Sequence, residues 1–246
     1  PVIREPIGMS PESPNSGKLY LVASPIGNLN DLSSRFTEVL AGVDLIACED
    51  TRVTSKLMAH LGLNTPLVSY REENERSKSI ELCQAMIEGK SIALLSDAGY
   101  PAISDPGFRL VRACHTHHLK VIPIPGPNAA ITALAASGLP THQFLFHGFL
   151  PKKKNGVLQI LEKWKDFSGS LIFYESKYKI EKTLSLLESA YGSERFVCVA
   201  RELTKVHETI LSGALSKIRP LVAQRSTKGE FTLVVAPAGY SFEDAE

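Results

Sequence analysis

The sequence carries almost no excess charge of either sign. Its 246 residues include 27 lysines and arginines against 26 aspartates and glutamates, which gives a formal net charge of +1 at pH 7. A chain with so little net charge has no overall field that would draw it to nucleic acid or to a membrane surface. Any contact with a polyanion must therefore come from a local patch of basic side chains.

Long hydrophobic runs are also missing. No apolar stretch approaches the roughly 18 residues that a membrane-spanning helix needs. The opening segment, PVIREPIGMSPESPNSGK, lacks the apolar core of a secretory signal peptide. We therefore expect a soluble, cytoplasmic protein that has no contact with a membrane. The chain is long enough to bury a large core, in one big domain or in two of ordinary size.

Closely spaced cysteines, a common sign of a metal site or a disulfide framework, do not occur. The histidines of HTHH, residues 115–118, fall at i, i+2 and i+3, which does not place them on one face of a helix. We expect them at a helix end, where positive charge is favoured, and we predict no metal site. Each cysteine lies inside an apolar run, which indicates a buried and reduced thiol. The four are Cys48, Cys83, Cys114 and Cys198.

What the sequence does contain is an alternation of short apolar runs and amphipathic stretches. Residues 1–17 carry four prolines without periodicity, and we predict a disordered tail there. An apolar stripe from Leu32 to Val43 predicts a first helix, and two more are predicted near 54–60 and 75–88, each followed by a glycine. Strand-like runs separate the helices, and this rhythm predicts a mostly parallel sheet with helices on its faces. The runs are KLYLVA, DLIACE, PLVSY, SIALLS and KVIPIP.

A break at SGLPTH separates this first domain from a second one. We place the domains at 18–137 and 138–240, with a short tail at 241–246. In the second domain, helices are predicted near 157–164 and over 180–191. Its last strands follow one another with little or no intervening helix, which indicates a mixed or largely antiparallel sheet. The sequence thus predicts two α/β domains with a ligand cleft between them.

The loops after the predicted strands are unusual, and chemistry in a parallel sheet gathers at the carboxyl ends of the strands. Neither the GxGxxG turn of dinucleotide-binding proteins nor the GxxxxGK[ST] phosphate loop is present. This counts against an NAD enzyme, a nucleotide triphosphatase and the common Rossmann-type methyltransferases. The first loop is instead SPIGN, residues 24–28, which is either a rigid turn into a helix or part of a ligand site.

The second loop, ACEDTR, places three charged residues directly after a strand. Asp50 or Thr51 could cap the following helix while Arg52 pairs with an acid. A single cap does not need three charges. The cluster of Glu49, Asp50 and Arg52 therefore favours a functional role over a purely structural one.

The third loop, LLSDAGYPAISDPGF, holds two carboxylates that have different explanations. Asp105 fits as the N-cap of a helix with Pro106 in its first position. No helix follows Asp97 directly, so a cap does not account for it. A loop carboxylate at a strand end suits a ligand that carries amino, hydroxyl or sulfonium groups.

Two further segments have alternative interpretations. The fourth loop, IPIPGPNAAITALAASG, opens a helix of small residues, which either packs tightly on the sheet or lets a ligand approach closely. PKKKNG, residues 151–156, is either a solvated turn or a contact for a phosphate backbone.

Eight segments occur in an order that resembles one family: SPIGNL, CEDTR, LLSDAGYPAISDPG, PGPNAAITALAASGLP, GFLPKK, LIFYES, ARELTK and KGEF. They are similar to the motifs of the ribosomal RNA small-subunit methyltransferase I branch of the tetrapyrrole methylase superfamily, over about residues 18–236. Other branches usually keep a GxGxGD-like first loop and a GDP triad. This chain instead has Pro25-Ile26-Gly27 and Ser96-Asp97-Ala98-Gly99, and that departure points to the RNA branch.

The resemblance implies an S-adenosylmethionine-dependent methyltransferase that 2′-O-methylates a cytidine ribose in small-subunit ribosomal RNA. It also implies a homodimer, a substrate that is ribosomal RNA or the small ribosomal subunit, and a cofactor folded between the two domains. Two alternatives stay open: a methyltransferase for a tetrapyrrole or other small molecule, and a catalytically silent RNA-binding ribosome assembly factor. By position, the residues expected to line the cofactor are Pro25, Ser96, Asp97, Ala98, Ile103, Asn128, Ala129, Tyr174, Glu175 and Ala236.

The chemistry implied by the resemblance assigns roles to the charged motifs. A ribose hydroxyl is a poor nucleophile, and proton-transfer assistance is typically worth about a hundredfold or more. Glu49 and Asp50 are the candidates for a base or for positioning the ribose, and Arg52 for binding phosphate or tuning their acidity. For the ARELTK residues, an inter-strand salt-bridge network is an equal alternative. The residues that could contact RNA are Lys152, Lys153, Lys154, Arg201, Glu202, Lys205 and Lys228.

Overall fold

The computed structural model describes residues 16–242, so most of the tails predicted at 1–17 and 241–246 lies outside it. The described part of the chain divides into two compact units, with the division between Pro127 and Asn128. Each unit contains one five-stranded sheet. Across residues 16–242, no helix is long and apolar enough to cross a membrane.

The first unit alternates strands and helices along the chain. Its strands are β1 Lys18–Val22, β2 Leu45–Cys48, β3 Leu67–Ser69, β4 Ile92–Leu95 and β5 Lys120–Ile124, and its helices are α1 Ser34–Gly42, α2 Thr51–Leu61, α3 Glu75–Ile87 and α4 Phe108–Thr116. The sheet has the order β3-β2-β4-β1-β5, and every pairing in it is parallel. Alternate residues of β4 enter two separate apolar clusters, which explains why the central strands are continuous apolar runs.

Local signals set the helix ends that the sequence predicts in this unit. The Ser33 hydroxyl accepts the Phe36 N–H at the start of α1, and the Asp50 carboxylate accepts the Arg52 N–H at the start of α2. Gly62 ends α2 with a positive φ of 68°, a conformation that glycine adopts at little cost. All four cysteines are free and buried, as predicted.

The second unit has a mixed sheet. Its helices are α5 Ala129–Ala136, α6 Lys154–Lys163, α7 Ile180–Tyr191 and α8 Leu215–Ala223, and its strands are β6 Phe144–Phe149, β7 Ser170–Ser176, β8 Phe196–Arg201, β9 Thr209–Ala214 and β10 Glu230–Val235. The strand order is β6-β7-β10-β8-β9, with β6 and β7 parallel and the other pairs antiparallel. The predicted fold class, two α/β domains with a parallel and a mixed sheet, is confirmed.

Helix α8 corrects the expectation that little or no helix separates the last strands. It lies between β9 and β10 and contains Pro220. Leu215, Ile218 and Val222 are buried on one face of it, at the i, i+3 and i+7 spacing of an amphipathic helix. Pro220 is the sixth residue of α8, beyond the first turn, so it removes one intrahelical hydrogen bond, and the packing of the buried face has to offset that cost.

Two other boundaries differ from expectation. Helix α4 begins at Phe108 with Gly107 at its N-cap, so Asp105 does not cap it as predicted. A Cβ on Gly107 would lie 2.9 Å from Ala102, which explains glycine at that cap. Helix α5 was expected in the first domain, but the division of the chain places it in the second unit, where it packs on β7 and β10.

Candidate functional site

Four loops share one edge of the parallel sheet in the first unit. They follow β1, β2, β4 and β5, and because these strands are parallel, their carboxyl ends lie at the same edge. These are the loops that the sequence singles out. The structure therefore brings the first-unit part of the predicted site together.

The loops after β1 and β4 are held to each other by hydrogen bonds. Ser24 and Gly99 form a two-way backbone bridge, with N···O distances of 2.8 and 3.0 Å. The Ser24 hydroxyl also donates to the Ser96 carbonyl at 2.7 Å, and the Ser96 hydroxyl donates to the Gly99 carbonyl at 3.0 Å. Both serines are buried. This pairing fixes Pro25 beside Asp97 and Ala98 without a glycine-rich phosphate loop.

The loop after β5 packs directly on the end of β1. A Cβ on Gly126 would lie only 2.9 Å from the Cβ of Ala23, so no larger residue fits there without displacing one loop. Gly99, in the third loop, has a φ of 77°, a conformation that glycine adopts at little cost. The Ser24–Gly99 bridge and the contact of Gly126 with Ala23 bring the backbones of three loops together at the sheet edge, next to Pro25.

Carboxylates gather at the same edge of the sheet, in the loops after β2 and β4. The Asp50 N–H donates to Asp97 Oδ1 at 3.1 Å, which ties the second loop to the third. Burial raises the pKa of the Glu49 carboxyl above its usual value, and the negative charge of Asp97 raises it further. Burial, together with the charges of Glu49 and Asp97, raises the pKa of Asp105 to about 7. The carboxylates of Glu49, Asp97 and Asp105 therefore repel one another, and a bound cation would reduce that repulsion.

Asp50 and Arg52 form the helix cap and the ion pair that were the structural alternative for this loop. Asp50 is the N-cap of α2, and its two carboxylate oxygens share a bifurcated hydrogen bond from Arg52 Nε, at 3.0 and 3.2 Å, while Oδ2 accepts a second hydrogen bond from Nη2 at 2.6 Å. The hydrogen bonds from Arg52 hold the pKa of Asp50 far below its usual range, so Asp50 is a poor proton acceptor. The Arg52 side chain is 86% exposed and remains accessible to a ligand. Within the EDTR cluster, only Glu49 has the properties of a base.

Asp105 is the residue that the sequence analysis missed. Its position before a proline and a glycine indicated a helix cap, yet α4 begins three residues later. The available signal was its place in a Gly- and Pro-rich loop at a strand's carboxyl end, the same context that drew attention to Asp97. Ile103 lies in this loop and is 45% exposed.

The second-unit candidates do not all lie together. Asn128 caps α5 by accepting the Ile131 N–H at 3.0 Å, which places Ala129 in the first turn of that helix. Tyr174 pairs with Thr232 of β10, whereas Ala236 follows the end of β10 that pairs with Leu171. At about 3.3 Å per residue, Ala236 is more than 10 Å along the sheet from Tyr174.

Glu175 has a complete structural role in the second unit. Its side chain is buried, its Oε1 accepts the Ser176 N–H at 2.7 Å, and its Oε2 accepts the Thr183 hydroxyl at 2.7 Å. Tyr174, next to it, is half-buried between the rings of Phe146 and Phe149, with centroids 5.0 and 5.5 Å away. Of this pair, Tyr174 is the one with accessible surface for a ligand.

The ARELTK residues form the salt-bridge network that was the alternative to a contact with RNA. Lys205 Nζ lies 2.8 Å from Glu202 Oε1 and 2.9 Å from Glu230 Oε2. Arg201 donates to the Lys228 carbonyl at 2.7 Å and to the His207 carbonyl at 3.1 Å. By contrast, the side chains of the KKK segment are exposed at the start of α6. Among residues 16–242, no group of three or more His, Cys, Asp or Glu side chains is arranged to hold a metal ion.

Comparison with known proteins places this chain in a family. The family profile described as "Tetrapyrrole (Corrin/Porphyrin) Methylases" matches residues 18–219. The ribosomal RNA small subunit methyltransferase I of Halalkalibacterium halodurans is 47% identical over 232 residues, covering 94% of this chain and 80% of that one. The protein of the same name from Escherichia coli O157:H7 is 44% identical over 223 residues, covering 90% and 78%.

Solved structures agree on the fold. A diphthine synthase superposes with a TM-score of 0.71 at 13% identity, covering 93% of each chain. The methyltransferase CobJ superposes with a TM-score of 0.65 at 20% identity, covering 91% of this chain and 95% of that one. The profile match, the close relatives and the shared fold show that the chain belongs to the tetrapyrrole methylase family, among the ribosomal RNA small subunit methyltransferase I proteins.

Proposed function

We propose that this protein is an S-adenosylmethionine-dependent methyltransferase that 2′-O-methylates a cytidine ribose of small-subunit ribosomal RNA. The observation that supports the proposal is the junction of the loops after β1 and β4, made by the two-way Ser24–Gly99 bridge, with the carboxylates of Glu49, Asp97 and Asp105 beside it. The relatives named as ribosomal RNA methyltransferases supply the substrate class. The homodimer that the resemblance implies and the cytoplasmic location expected from the composition remain predictions.

The residues present fit S-adenosylmethionine. The cofactor carries no phosphate, so a loop without phosphate-binding glycines suits it, and its sulfonium is a cation that a carboxylate cluster would stabilise. We assign Pro25, Ser96, Asp97 and Ala98 to the wall of the site, with Ile103 at its exposed rim. For the second unit, we propose Asn128, Ala129 and Tyr174 as contacts, and we assign Glu175 to holding the end of β7.

The chemistry requires little more than alignment and a proton acceptor. S-adenosylmethionine, when bound, supplies a methyl group that its sulfonium already activates. The chain's part is to hold the ribose oxygen in line with that carbon and to exclude water. Glu49 would accept the proton of the 2′-hydroxyl, because its raised pKa makes it a better base than an ordinary carboxylate. Asp50 and Arg52 would fix the start of α2 and so the position of Glu49.

Mapping ribose methylation tests the proposed function directly. Small-subunit ribosomal RNA from cells with and without the protein would be digested and analysed by mass spectrometry for 2′-O-methylcytidine. We expect one modification to disappear with the protein and to return when purified protein and S-adenosylmethionine are added to the unmodified small subunits. Unchanged RNA, with methyl transfer to a tetrapyrrole in the same assay, would support the small-molecule alternative. A protein that binds RNA and transfers no methyl group to it would be an assembly factor.

Cofactor affinity should depend on pH through Asp105. Its pKa of about 7 means that the cluster gains a negative charge between pH 6 and pH 8. S-adenosylmethionine should therefore bind several-fold more tightly at pH 8 than at pH 6, whereas S-adenosylhomocysteine, which lacks the sulfonium charge, should not. Calorimetry with both ligands measures the difference. The Asp105→Asn variant should lose the pH dependence; if it keeps the dependence, another group is responsible.

The stability of the same variant is an internal control. Folding raises the pKa of Asp105 from 3.8 to about 7, so its ionisation opposes the folded state. This penalty is absent below pH 3.8, grows as the pH rises and is complete above pH 7. Asp105→Asn should accordingly stabilise the protein at pH 8 by about 1–2 kcal/mol after solvent screening, and the gain should vanish near pH 4.

The lysines at the start of α6 should contribute to RNA affinity. Positive charge is unfavourable at a helix N-terminus, so Lys152, Lys153 and Lys154 are not placed there for helix stability. Replacing all three with alanine should lower the salt dependence of RNA binding by about 2 in the log–log slope. Cofactor affinity and the melting temperature should not fall. Wild-type slope and affinity in the triple variant would identify the segment as a solvated turn.

A further inference from the structure

A groove runs between α3 and α4 on the surface of the first unit. It has a volume of about 600 Å³. Two of the side chains that line it are large, apolar and exposed to solvent: Ile80 is 70% exposed and Phe108 is 65% exposed. Nothing in the family motifs or in the proposed catalytic chemistry accounts for an aromatic ring held out to solvent at this position. Exposed apolar surface of this kind marks an interaction site more often than a random surface does.

The charges around the groove have one predominant sign. Arg76, Arg109 and Arg112 line it, against the single carboxylate of Glu75. Arg109 is paired with Glu75, with Nε 3.3 Å from Oε2. Arg76 and Arg112 are exposed, and neither has an ion-pair partner within residues 16–242. In a chain whose net charge is +1, the groove is therefore a local basic patch.

The groove begins where the candidate site ends. Phe108 is the first residue of α4, directly after the loop that carries Asp97 and Asp105. The Glu75 carboxylate accepts the Gly107 N–H at 3.0 Å and the Arg109 N–H at 3.3 Å, which fixes this loop to α3. A polymer that reaches the carboxyl edge of the sheet could continue along the groove without leaving the first unit.

We propose that the α3–α4 groove binds single-stranded RNA next to the nucleotide to be methylated. A base would stack on the Phe108 ring beside Ile80, and Arg76 and Arg112 would contact the flanking phosphates. Aromatic side chains between basic ones are the usual means of holding single-stranded nucleic acid. A second copy of the chain fits less well, because a two-fold contact on this face would bring arginines against arginines. The inference rests on the proposed function and names a further surface for the same substrate.

The test compares variants of the intact protein for binding to a transcript of small-subunit ribosomal RNA. Arg76→Ala with Arg112→Ala should lower the salt dependence of binding by about 1.4 in the log–log slope. Phe108→Ala should weaken binding by roughly tenfold with the slope unchanged, and Phe108→Tyr should restore most of the affinity because it keeps the ring. A control variant, Lys182→Ala with Lys217→Ala, removes two exposed helical charges from the second unit and should bind as the wild type does.

Each contrary result has a distinct meaning. If the wild type binds the transcript and the groove variants match it in affinity and slope, the groove inference is overturned, whatever the methylation assay shows. If the variants instead convert a dimer into monomers in sedimentation without changing RNA affinity, the groove is an interface between copies and the RNA inference is likewise wrong. Methyl transfer by the wild type to ribosomal RNA is measured separately, so its absence would overturn the proposed function alone. S-adenosylmethionine affinity should be the same in all variants, which excludes damage to the cofactor site.

Discussion

Replacing Glu49 with glutamine should lower the single-turnover rate of RNA methylation about a hundredfold or more. Glutamine keeps the size of the side chain and its hydrogen-bonding oxygen, but it cannot accept the proton of the ribose hydroxyl. Affinity for S-adenosylmethionine should change by no more than a few fold, since the lost interaction is made in the transition state. Rapid-quench measurements at saturating RNA and cofactor report this rate directly.

The same substitution should not destabilise the fold. Burial and Asp97 raise the pKa of Glu49, so its ionised form is disfavoured in the folded protein and a neutral glutamine removes that penalty at pH 8. The matched control is Asp50→Ala, which removes the α2 cap and the pair with Arg52. We expect that control to melt earlier and to lose much less of its rate per folded molecule than Glu49→Gln does, because it shifts Glu49 without removing the proton acceptor. A fully active Glu49→Gln variant would remove Glu49 from the catalytic step.

Replacing Glu75 with alanine should destabilise the first unit by about 2–3 kcal/mol. The carboxylate is 13% exposed and joins three segments of the fold. Oε1 accepts the Tyr70 hydroxyl at 3.2 Å and the Gly107 N–H at 3.0 Å, while Oε2 faces Arg109. Without it, the Gly107 N–H is left unpaired in a buried position, a cost typical of a lost charged acceptor.

Thermal unfolding with and without cofactor measures both consequences of that change. The melting temperature should fall, and S-adenosylmethionine should bind more weakly because the loop of Asp97 and Asp105 loses its attachment to α3. Glu81→Ala is the matched control on the same helix: the Glu81 side chain is 65% exposed and, among the described residues, forms an ion pair with Lys78 alone. We expect that control to stay within about 0.5 kcal/mol of the wild type. Equal melting temperatures for the two variants would show that Glu75 does not hold the loop.

The candidate site shows where reasoning from the sequence succeeds and where it stops. The loops after β1, β2, β4 and β5 could be singled out because each places glycine, proline or charged residues directly after an apolar strand. Glu49 and Asp50 have different roles that could not be predicted from the local sequence. They are neighbours in the chain, and only the cap of α2 and the approach of Asp97 make one a paired anion and the other a carboxyl with a raised pKa.

Helix α8 and Asp105 show the opposite kind of error. The sequence predicted little or no helix between β9 and β10, and for Asp105 a local rule, aspartate before proline as a helix cap, outweighed the wider pattern. The buried face of α8, with Leu215 and Ile218, tolerates Pro220 because packing on the second sheet stabilises the helix. Asp105 does not cap α4 because the helix begins at Phe108 with Gly107 as its N-cap, and the Glu75 carboxylate accepts the Gly107 and Arg109 N–H groups instead.

The sequence by itself determined what depends on neighbours along the chain: the alternation of strands and helices, the parallel and mixed character of the two sheets, the glycine that ends α2 and the family to which the motifs belong. Only the tertiary structure decided what depends on distance between segments. It placed β4 between β1 and β2, so that Asp97 faces Glu49, and it set α4 beside α3, so that Phe108 and Arg76 line one groove. The physical reason is that periodicity and capping act within a few residues, whereas burial and electrostatic repulsion act between residues that the fold brings together.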